Sequence, residues 1–215
     1  MPSPPRIAVV DYGAGNLRSV AKALVRSGID PVVTDAPGDL ARVDAVVLPG
    51  VGAFADGMRA LAERGLDLAI VETIRAGTPY LGLCLGLQVL FEESEEHGRN
   101  AGLGILEGRV TRFADQDSSG KRRLVPHIGW NTVEFTGDHP MCASLVDEPF
   151  YFVHSYYAKP TNPKDVVGVA SYGDPFTAAV ARDNVFAVQF HPEKSQTAGR
   201  RLLDAFRKWV DACRA

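Results

Sequence analysis

The chain has 215 residues, of which 46% are hydrophobic and 23% are charged, so it can bury a core without disulfides or metal and is too apolar to be disordered. Its net charge of −3 argues against a general nucleic-acid binder, which needs a basic surface. Three cysteines without paired spacing argue against a disulfide framework and a zinc cluster, and no signal peptide or membrane span is evident. These features predict a cytoplasmic protein that binds neither nucleic acid nor membrane.

Short apolar strands alternate with helices through the first half of the chain. Strands are predicted over 7–10, 31–34, 45–48 and 80–83. Helices are predicted from residue 17 onward, around 58–63, over 66–75 and over 86–92. Strands that are apolar on both faces indicate a mostly parallel sheet covered by helices on both sides.

The second half of the chain is rich in β-formers. Short runs of Thr, Val, Phe and Tyr after residue 102 predict an antiparallel extension of the sheet, and 197–213 predicts an amphipathic helix with Cys213 on its core face. No repeat or linker separates domains. The sequence therefore predicts an α/β fold, an open and mostly parallel sheet with an antiparallel extension, as one domain over 6–215 after a flexible tail over 1–5.

Cys84 lies at a predicted strand-to-helix junction, between Gly82 and Gly86. A nucleophile on so sharp a turn needs small neighbours, because the chain nearly touches itself there. Backbone N–H groups at the start of the following helix would stabilise a thiolate, and the N–H of Leu85 would stabilise an oxyanion. The alternative is a buried structural cysteine, which is our interpretation of the other two cysteines.

A cysteine nucleophile needs a base, and His191 is the best placed of the five histidines. It follows the apolar run 185–190 and should therefore lie at the carboxyl end of a strand, where open parallel sheets carry their functional residues. Glu193 is positioned to accept a hydrogen bond from the far imidazole nitrogen. His127 and His154 also end apolar stretches and could line the same cleft. These residues predict a Cys, His, Glu arrangement.

Several motifs resemble those of a known family. The class I glutamine amidotransferases are matched by GLCLGLQ at 82–88, by FHPEKS at 190–195 and, at their oxyanion strand, by PGVG at 49–52. Within that family, the chain resembles the glutaminase subunits of imidazole glycerol phosphate synthase. This narrower resemblance rests on DYGAGNL at 11–17, FEES at 91–94, PHIGWN at 126–131 and YFVHSY at 151–156. The resemblance extends from residue 6 to the last helix.

This resemblance implies hydrolysis of glutamine to glutamate and ammonia by Cys84, His191 and Glu193, with the oxyanion held by the N–H groups of Val51 and Leu85. It implies neither a cofactor nor a metal. The residues expected to hold glutamine are Gly50, Gly52, Gln88, Ser155 and Tyr156.

The resemblance also implies a partner. Glutaminase subunits of this kind form a heterodimer with a (β/α)8-barrel synthase subunit, which uses the ammonia to make imidazole glycerol phosphate and aminoimidazole carboxamide ribonucleotide in histidine biosynthesis. Asn16, Trp130 and Tyr151 are expected at that interface. The glycines on both sides of Val51 further predict that its peptide can flip, so that the partner completes the oxyanion site.

Two other functional classes are alternatives to this reading. One is a non-catalytic regulator with an amidotransferase-like fold, and the intact Cys, His, Glu set argues against it. The other is a cysteine peptidase or chaperone of the related open-sheet type. Gln88 and the strand at 49–52 argue against that second alternative.

Overall fold

A computed structural model describes residues 4–13, 15–145 and 148–214, so that residues 1–3 of the predicted tail lie outside the described residues. The strands are β1 (Ile7–Val10), β2 (Pro31–Thr34), β3 (Ala45–Gly50), β4 (Tyr80–Cys84), β5 (Phe91–Ser94), β6 (Asn100–Ala101), β7 (Leu106–Arg112), β8 (His127–Phe135), β9 (Glu148–His154), β10 (Tyr156–Pro160), β11 (Val166–Tyr172), β12 (Asp174–Arg182) and β13 (Val185–Val188). The helices are α1 (Leu17–Arg26), α2 (Pro37–Leu40), α3 (Phe54–Glu63), α4 (Leu66–Arg75), α5 (Leu85–Gln88) and α6 (Gln196–Cys213).

The strands form two sheets. The larger has nine strands in the order β2-β1-β3-β4-β13-β12-β11-β8-β9, and the smaller has four in the order β10-β7-β5-β6. In the larger sheet the strands from β2 to β13 run parallel, whereas those from β12 to β9 pair antiparallel. The predicted α/β fold with an antiparallel extension is confirmed.

Both faces of the parallel strands β1, β3, β4 and β13 are buried. Ile7 and Val9 belong to one hydrophobic cluster, while Ala8 and Val10 belong to a second cluster on the opposite face, as the two-residue period of a strand requires. The carboxyl ends of β3, β4 and β13 therefore meet at one edge of a rigid, covered sheet. No helix within the described ranges is long and apolar enough to cross a membrane.

Two local predictions are wrong. The helix expected over 86–92 ends at Gln88, because the buried Phe91 begins β5, which pairs with the distant β7. Cys213 is exposed rather than on the core face, since it lies at the end of α6 beyond Val210, the last buried residue of that helix. Both differences arise because local periodicity does not show how far the packing surface of an element extends.

Gly86 is required by the close approach of α5 to β3. A Cβ at Gly86 would overlap the carbonyl oxygen of Leu48, so Gly86→Ala is expected to lower the free energy of unfolding by about 3 kcal/mol. The matched control is Gly38→Ala, because Gly38 is exposed and has open space around it; its effect should stay within about 1 kcal/mol. Urea denaturation measures both, and equal midpoints for the two variants would contradict the packing argument.

Candidate active site

Cys84 ends β4 on a sharp turn. Its φ of +53° lies in the left-handed region, which is unfavourable for a residue with a side chain and is often found at functional sites. Gly82 and Gly86 let the turn close, because a Cβ at Gly82 would overlap the carbonyl oxygen of Gly86. The close approach expected from the flanking glycines is therefore present, and Cys84 is 8% exposed.

His191 and Glu193 lie together beside this turn. Strand β13 pairs in parallel with β4, with Val188 opposite Leu83, so the chain after β13 reaches the same sheet edge as Cys84. The Nδ1 of His191 is 2.9 Å from Oε1 of Glu193, and both side chains are 3% exposed. The structure thus brings the three predicted catalytic side chains to one place.

The charge state of His191 depends on both neighbours. Burial alone would lower the pKa of His191, but its interactions with Cys84 and Glu193 outweigh burial and raise that pKa to about 10. Because Nδ1 is engaged by Glu193, Nε2 is the ring nitrogen left to interact with the sulfur. The arrangement favours a protonated imidazole of His191 beside the sulfur of Cys84.

A cavity of about 280 Å³ opens in front of Cys84. Its lining residues are Val51, Gly52, Cys84, Leu85, Gln88, Glu96, Pro126, Val153, His154, Ser155, Tyr156 and His191. Four of the five predicted glutamine-binding residues and both predicted oxyanion residues are in this lining. Gly50 is not: it ends β3, where a Cβ would lie 2.5 Å from the Tyr12 hydroxyl oxygen and 2.6 Å from Cβ of Leu85.

The hydroxyl group of Tyr12 lies against the chain where it leaves β3 at Gly50. Burial and the charge of Cys84 raise the pKa of the Tyr12 hydroxyl, and a hydrogen bond from the N–H of Val51 opposes this rise in part. Val51 is 40% exposed, and Gly52 has a φ of +94° with nothing within 4 Å of its Cβ position. The backbone around Gly50 and Val51 therefore lies close to the Tyr12 hydroxyl.

Three residues of the site were missed by sequence reasoning. Tyr12 contacts the oxyanion strand, Glu96 contributes the sole carboxylate of the cavity lining, and Gln189 is completely buried beside Cys84. A polar residue in the apolar run that leads to His191 was an available signal for Gln189. Tyr12 and Glu96 have no comparable local signal, because each lies far along the chain from the site residues that it joins.

His127 and His154, the alternative bases, form a buried pair. His127 Nδ1 is 3.0 Å from His154 Nε2, and His154 Nδ1 is 2.8 Å from the carbonyl oxygen of Tyr156. Burial lowers the pKa of His127 to about 4 and that of His154 to about 3. Imidazoles with such low pKa values are weak bases, so this geometry favours His191.

This buried pair predicts a loss of stability in acid. The folded-state pKa of each ring lies below the value of about 6.5 for an unfolded histidine, so the unfolded chain binds more protons as the pH falls. The contribution of His127 and His154 is fully present above about pH 6.5 and should decline by up to about 3 kcal/mol for each ring toward pH 4. Urea denaturation between pH 7 and pH 4 measures this decline in the free energy of unfolding. The double variant His127→Gln, His154→Gln should flatten this dependence relative to the exposed His97→Asn; parallel curves would refute the assignment.

The predicted interface residues lie in two places. Trp130 on β8 is directly opposite Tyr151 on β9, with ring centroids 6.0 Å apart in an edge-on arrangement. Trp130 is 49% exposed, and the carbonyl of Tyr151 accepts the backbone N–H of His191 at 2.9 Å. Asn16 is exposed at the start of α1. Trp130 and Tyr151 thus form one surface that is directly linked to the backbone of the site.

Comparison with known proteins agrees with this geometry. The family model for glutamine amidotransferase class-I matches residues 8–209. Among solved structures, one titled crystal structure of glutamine amidotransferase has a TM-score of 0.73 at 22% identity and covers 95% of this chain and 98% of that one. The structure of PurLQS from Thermotoga maritima has a TM-score of 0.72 at 22% identity and covers 97% of this chain and 100% of that one. At such low identities these two structures establish the fold alone.

Curated relatives are much closer in sequence. The imidazole glycerol phosphate synthase subunit HisH of Desulfitobacterium hafniense (strain DSM 10664 / DCB-2) is 48% identical over 206 residues, which are 95% of each chain. The subunit of the same name from Methylococcus capsulatus is 51% identical over 209 residues, which are 94% of this chain and 96% of the relative. The chain therefore belongs to the class I glutamine amidotransferase family and, within it, to the HisH subunits of imidazole glycerol phosphate synthase.

Proposed function

We propose that this chain is the glutaminase subunit of imidazole glycerol phosphate synthase: it hydrolyses glutamine to glutamate and ammonia and delivers the ammonia to a synthase subunit in histidine biosynthesis. Relatives named as HisH subunits at 48% and 51% identity support the assignment. The observation that carries the catalytic part is the buried group of Cys84, His191 and Glu193, of which Cys84 and His191 line a cavity of about 280 Å³.

In the proposed reaction the thiolate of Cys84 attacks the carboxamide carbon of glutamine. The imidazolium of His191 gives its proton to the departing nitrogen, so ammonia leaves and a thioester remains. Neutral His191 then removes a proton from water, which attacks the thioester and releases glutamate. Glu193 holds Nδ1 of His191, stabilises the imidazolium and does not itself take the proton.

The negative oxygen formed in each attack needs hydrogen-bond donors. The backbone N–H of Leu85, directly after the nucleophile, is the first donor proposed, and the N–H of Val51 is the second. We propose that the N–H of Val51 becomes available as this second donor only after its peptide turns.

Substrate binding is assigned to the lining of the same cavity. We assign Gln88 and Gly52 to the side chain of glutamine, and the backbone around Ser155 and Tyr156 to its amino and carboxylate ends. Glu96 adds a carboxylate that matches the charge of the α-ammonium group. Gly50 acts indirectly, since it allows the close packing of β3 against Leu85 and Tyr12.

The proposed partner is a (β/α)8-barrel synthase subunit in a heterodimer. Ammonia released into water is protonated and lost, so a glutaminase must pass it directly to a second active site. We assign the partner surface to Trp130, Tyr151 and Asn16, and the 60% exposed Ile128 lies near Trp130 on the same strand. Exposed aromatic and aliphatic side chains of this kind are typical of protein interfaces.

Glutamate release tests both the glutaminase function and the proposed flip of the Val51 peptide. The assay compares the chain alone, the chain with the barrel subunit, and the complex with the synthase substrate. The partner and its substrate should raise turnover on the order of 10²- to 10³-fold, the usual effect of one oxyanion donor. Full glutaminase activity of the isolated chain would exclude the proposed flip of the Val51 peptide. Absence of glutamate under all three conditions would exclude the glutaminase function itself.

A further inference from the structure

Gln189 lies beside the nucleophile, between β13 and His191. Its side chain is completely buried, and its Nε2 is 3.6 Å from Sγ of Cys84, within hydrogen-bonding distance of a sulfur atom. Its backbone N–H donates to the carbonyl of Ala178 at 2.8 Å, so the main chain is anchored to β12. The carboxamide is thus held next to the reacting sulfur by a rigid sheet.

The orientation of this carboxamide follows from its neighbours. Gln88 Nε2 is 3.0 Å from the carbonyl oxygen of Tyr156 and 3.1 Å from Oε1 of Gln189. A backbone carbonyl can only accept, so Gln88 must present its NH₂ group to both oxygens. Gln189 therefore presents its oxygen to Gln88 and its NH₂ group to Cys84.

The carbonyl of Tyr156 also determines the orientation of the buried histidines. It accepts from His154 Nδ1 at 2.8 Å, so His154 Nε2 accepts from His127 Nδ1 at 3.0 Å. Every donor around this oxygen comes from a buried side chain. Reversal of either glutamine amide would leave buried polar groups unpaired, which is costly, so the direction of the N–H toward the sulfur is fixed.

We propose that Gln189 is a further catalytic residue, whose side-chain N–H donates to the sulfur of Cys84, stabilises the thiolate and aims it at the substrate. This role rests on the proposed glutaminase function. A neutral donor stabilises the thiolate without adding a second charge that would have to be buried. Because Gln88 contacts both Gln189 and the cavity, glutamine binding is coupled to the position of the nucleophile.

The first test measures the reactivity of Cys84 without any substrate. Gln189→Met removes the donor and keeps the approximate length of the side chain. Alkylation of Cys84 by iodoacetamide, followed by mass spectrometry of its peptide, should be about tenfold slower than in the wild type at pH 7. Gln189→Glu should be slower still, because it places a negative charge beside the thiolate. The buried Cys142, where burial raises the pKa to about 11, is the internal control and should react equally in all chains.

The second test measures turnover in the complex with the barrel subunit. Gln189→Met should lower kcat for glutamine hydrolysis on the order of tenfold, with a smaller change in KM. A merely structural role would instead alter the unfolding midpoint and leave the alkylation rate of Cys84 unchanged. Wild-type levels of both alkylation and kcat in a folded Gln189→Met chain would overturn the proposal. If the wild-type complex releases no glutamate, the glutaminase function fails, while the alkylation result still decides whether Gln189 acts on Cys84.

A measurement on the wild type covers the case in which the variants do not fold. The side-chain ¹⁵NH₂ resonance of Gln189 should shift when Cys84 is alkylated. The control is Asn184, at the opposite end of β13, whose Nδ2 donates to the carbonyls of Ile74 and Thr78 at 2.9 and 2.7 Å; its resonance should not move. A Gln189 resonance as unresponsive as that of Asn184 would overturn the proposed contact.

Discussion

Cys84→Ser is expected to abolish glutamine-dependent synthesis by the complex while its ammonia-dependent synthesis survives. The serine hydroxyl is a far weaker nucleophile at neutral pH, so glutamine turnover should fall on the order of 10³-fold or more. The substitution removes little volume and keeps the φ of +53°, so the fold should persist. Added ammonia bypasses the glutaminase site and reports directly on the intact partner.

The control for this variant is Cys213→Ser. Cys213 is exposed on α6, so both glutamine-dependent and ammonia-dependent rates should match those of the wild type. Steady-state kinetics with glutamine or ammonium as the nitrogen source measures both reactions. Normal glutamine turnover by Cys84→Ser would remove Cys84 from the mechanism and with it the proposed thioester.

His191→Ala is expected to be nearly as damaging as the loss of the thiol. Without the imidazole no group protonates the leaving nitrogen or activates water, so kcat for glutamine should fall on the order of 10³-fold or more. Glu193→Gln should retain on the order of 10- to 100-fold more activity than His191→Ala, because an orienting group contributes less than the base it holds. The raised pKa of His191 reflects its contacts with Cys84 and Glu193, and Glu193→Gln removes one of them.

Measurements of kcat for glutamine over a range of pH, made on the wild type and on these variants, distinguish the base from the group that orients it. His154→Ala provides a comparison, since His154 lines the cavity but burial lowers its pKa to about 3. It should keep more activity than His191→Ala. Equal rates for the wild type and His191→Ala would instead assign the base to His127 or His154.

Local signals in the sequence were enough to predict most of the parallel half of the fold. The strands at Ile7–Val10 and Pro31–Thr34 and the helix at Leu66–Arg75 have the predicted bounds. Such elements are encoded by runs and periods of a few residues, with glycine or proline nearby. The turn at Cys84 was predictable for the same reason, because Gly82 and Gly86 mark the close approach directly in the sequence.

Local patterns also identified Cys84, His191 and Glu193 as candidates, but long-range packing brings these three side chains together. Their contact depends on the pairing of β13 with β4, and on a turn after β13 that brings Glu193 to the ring of His191. Tyr12 and Glu96 were identified only from the tertiary structure, since each lies far along the chain from the site residues that it joins. The residues after Gln88 form a strand for a similar reason: pairing with β7 outweighs the local helical pattern. Long-range pairing and burial, which local patterns do not specify, therefore decided the remaining parts of the fold and the site.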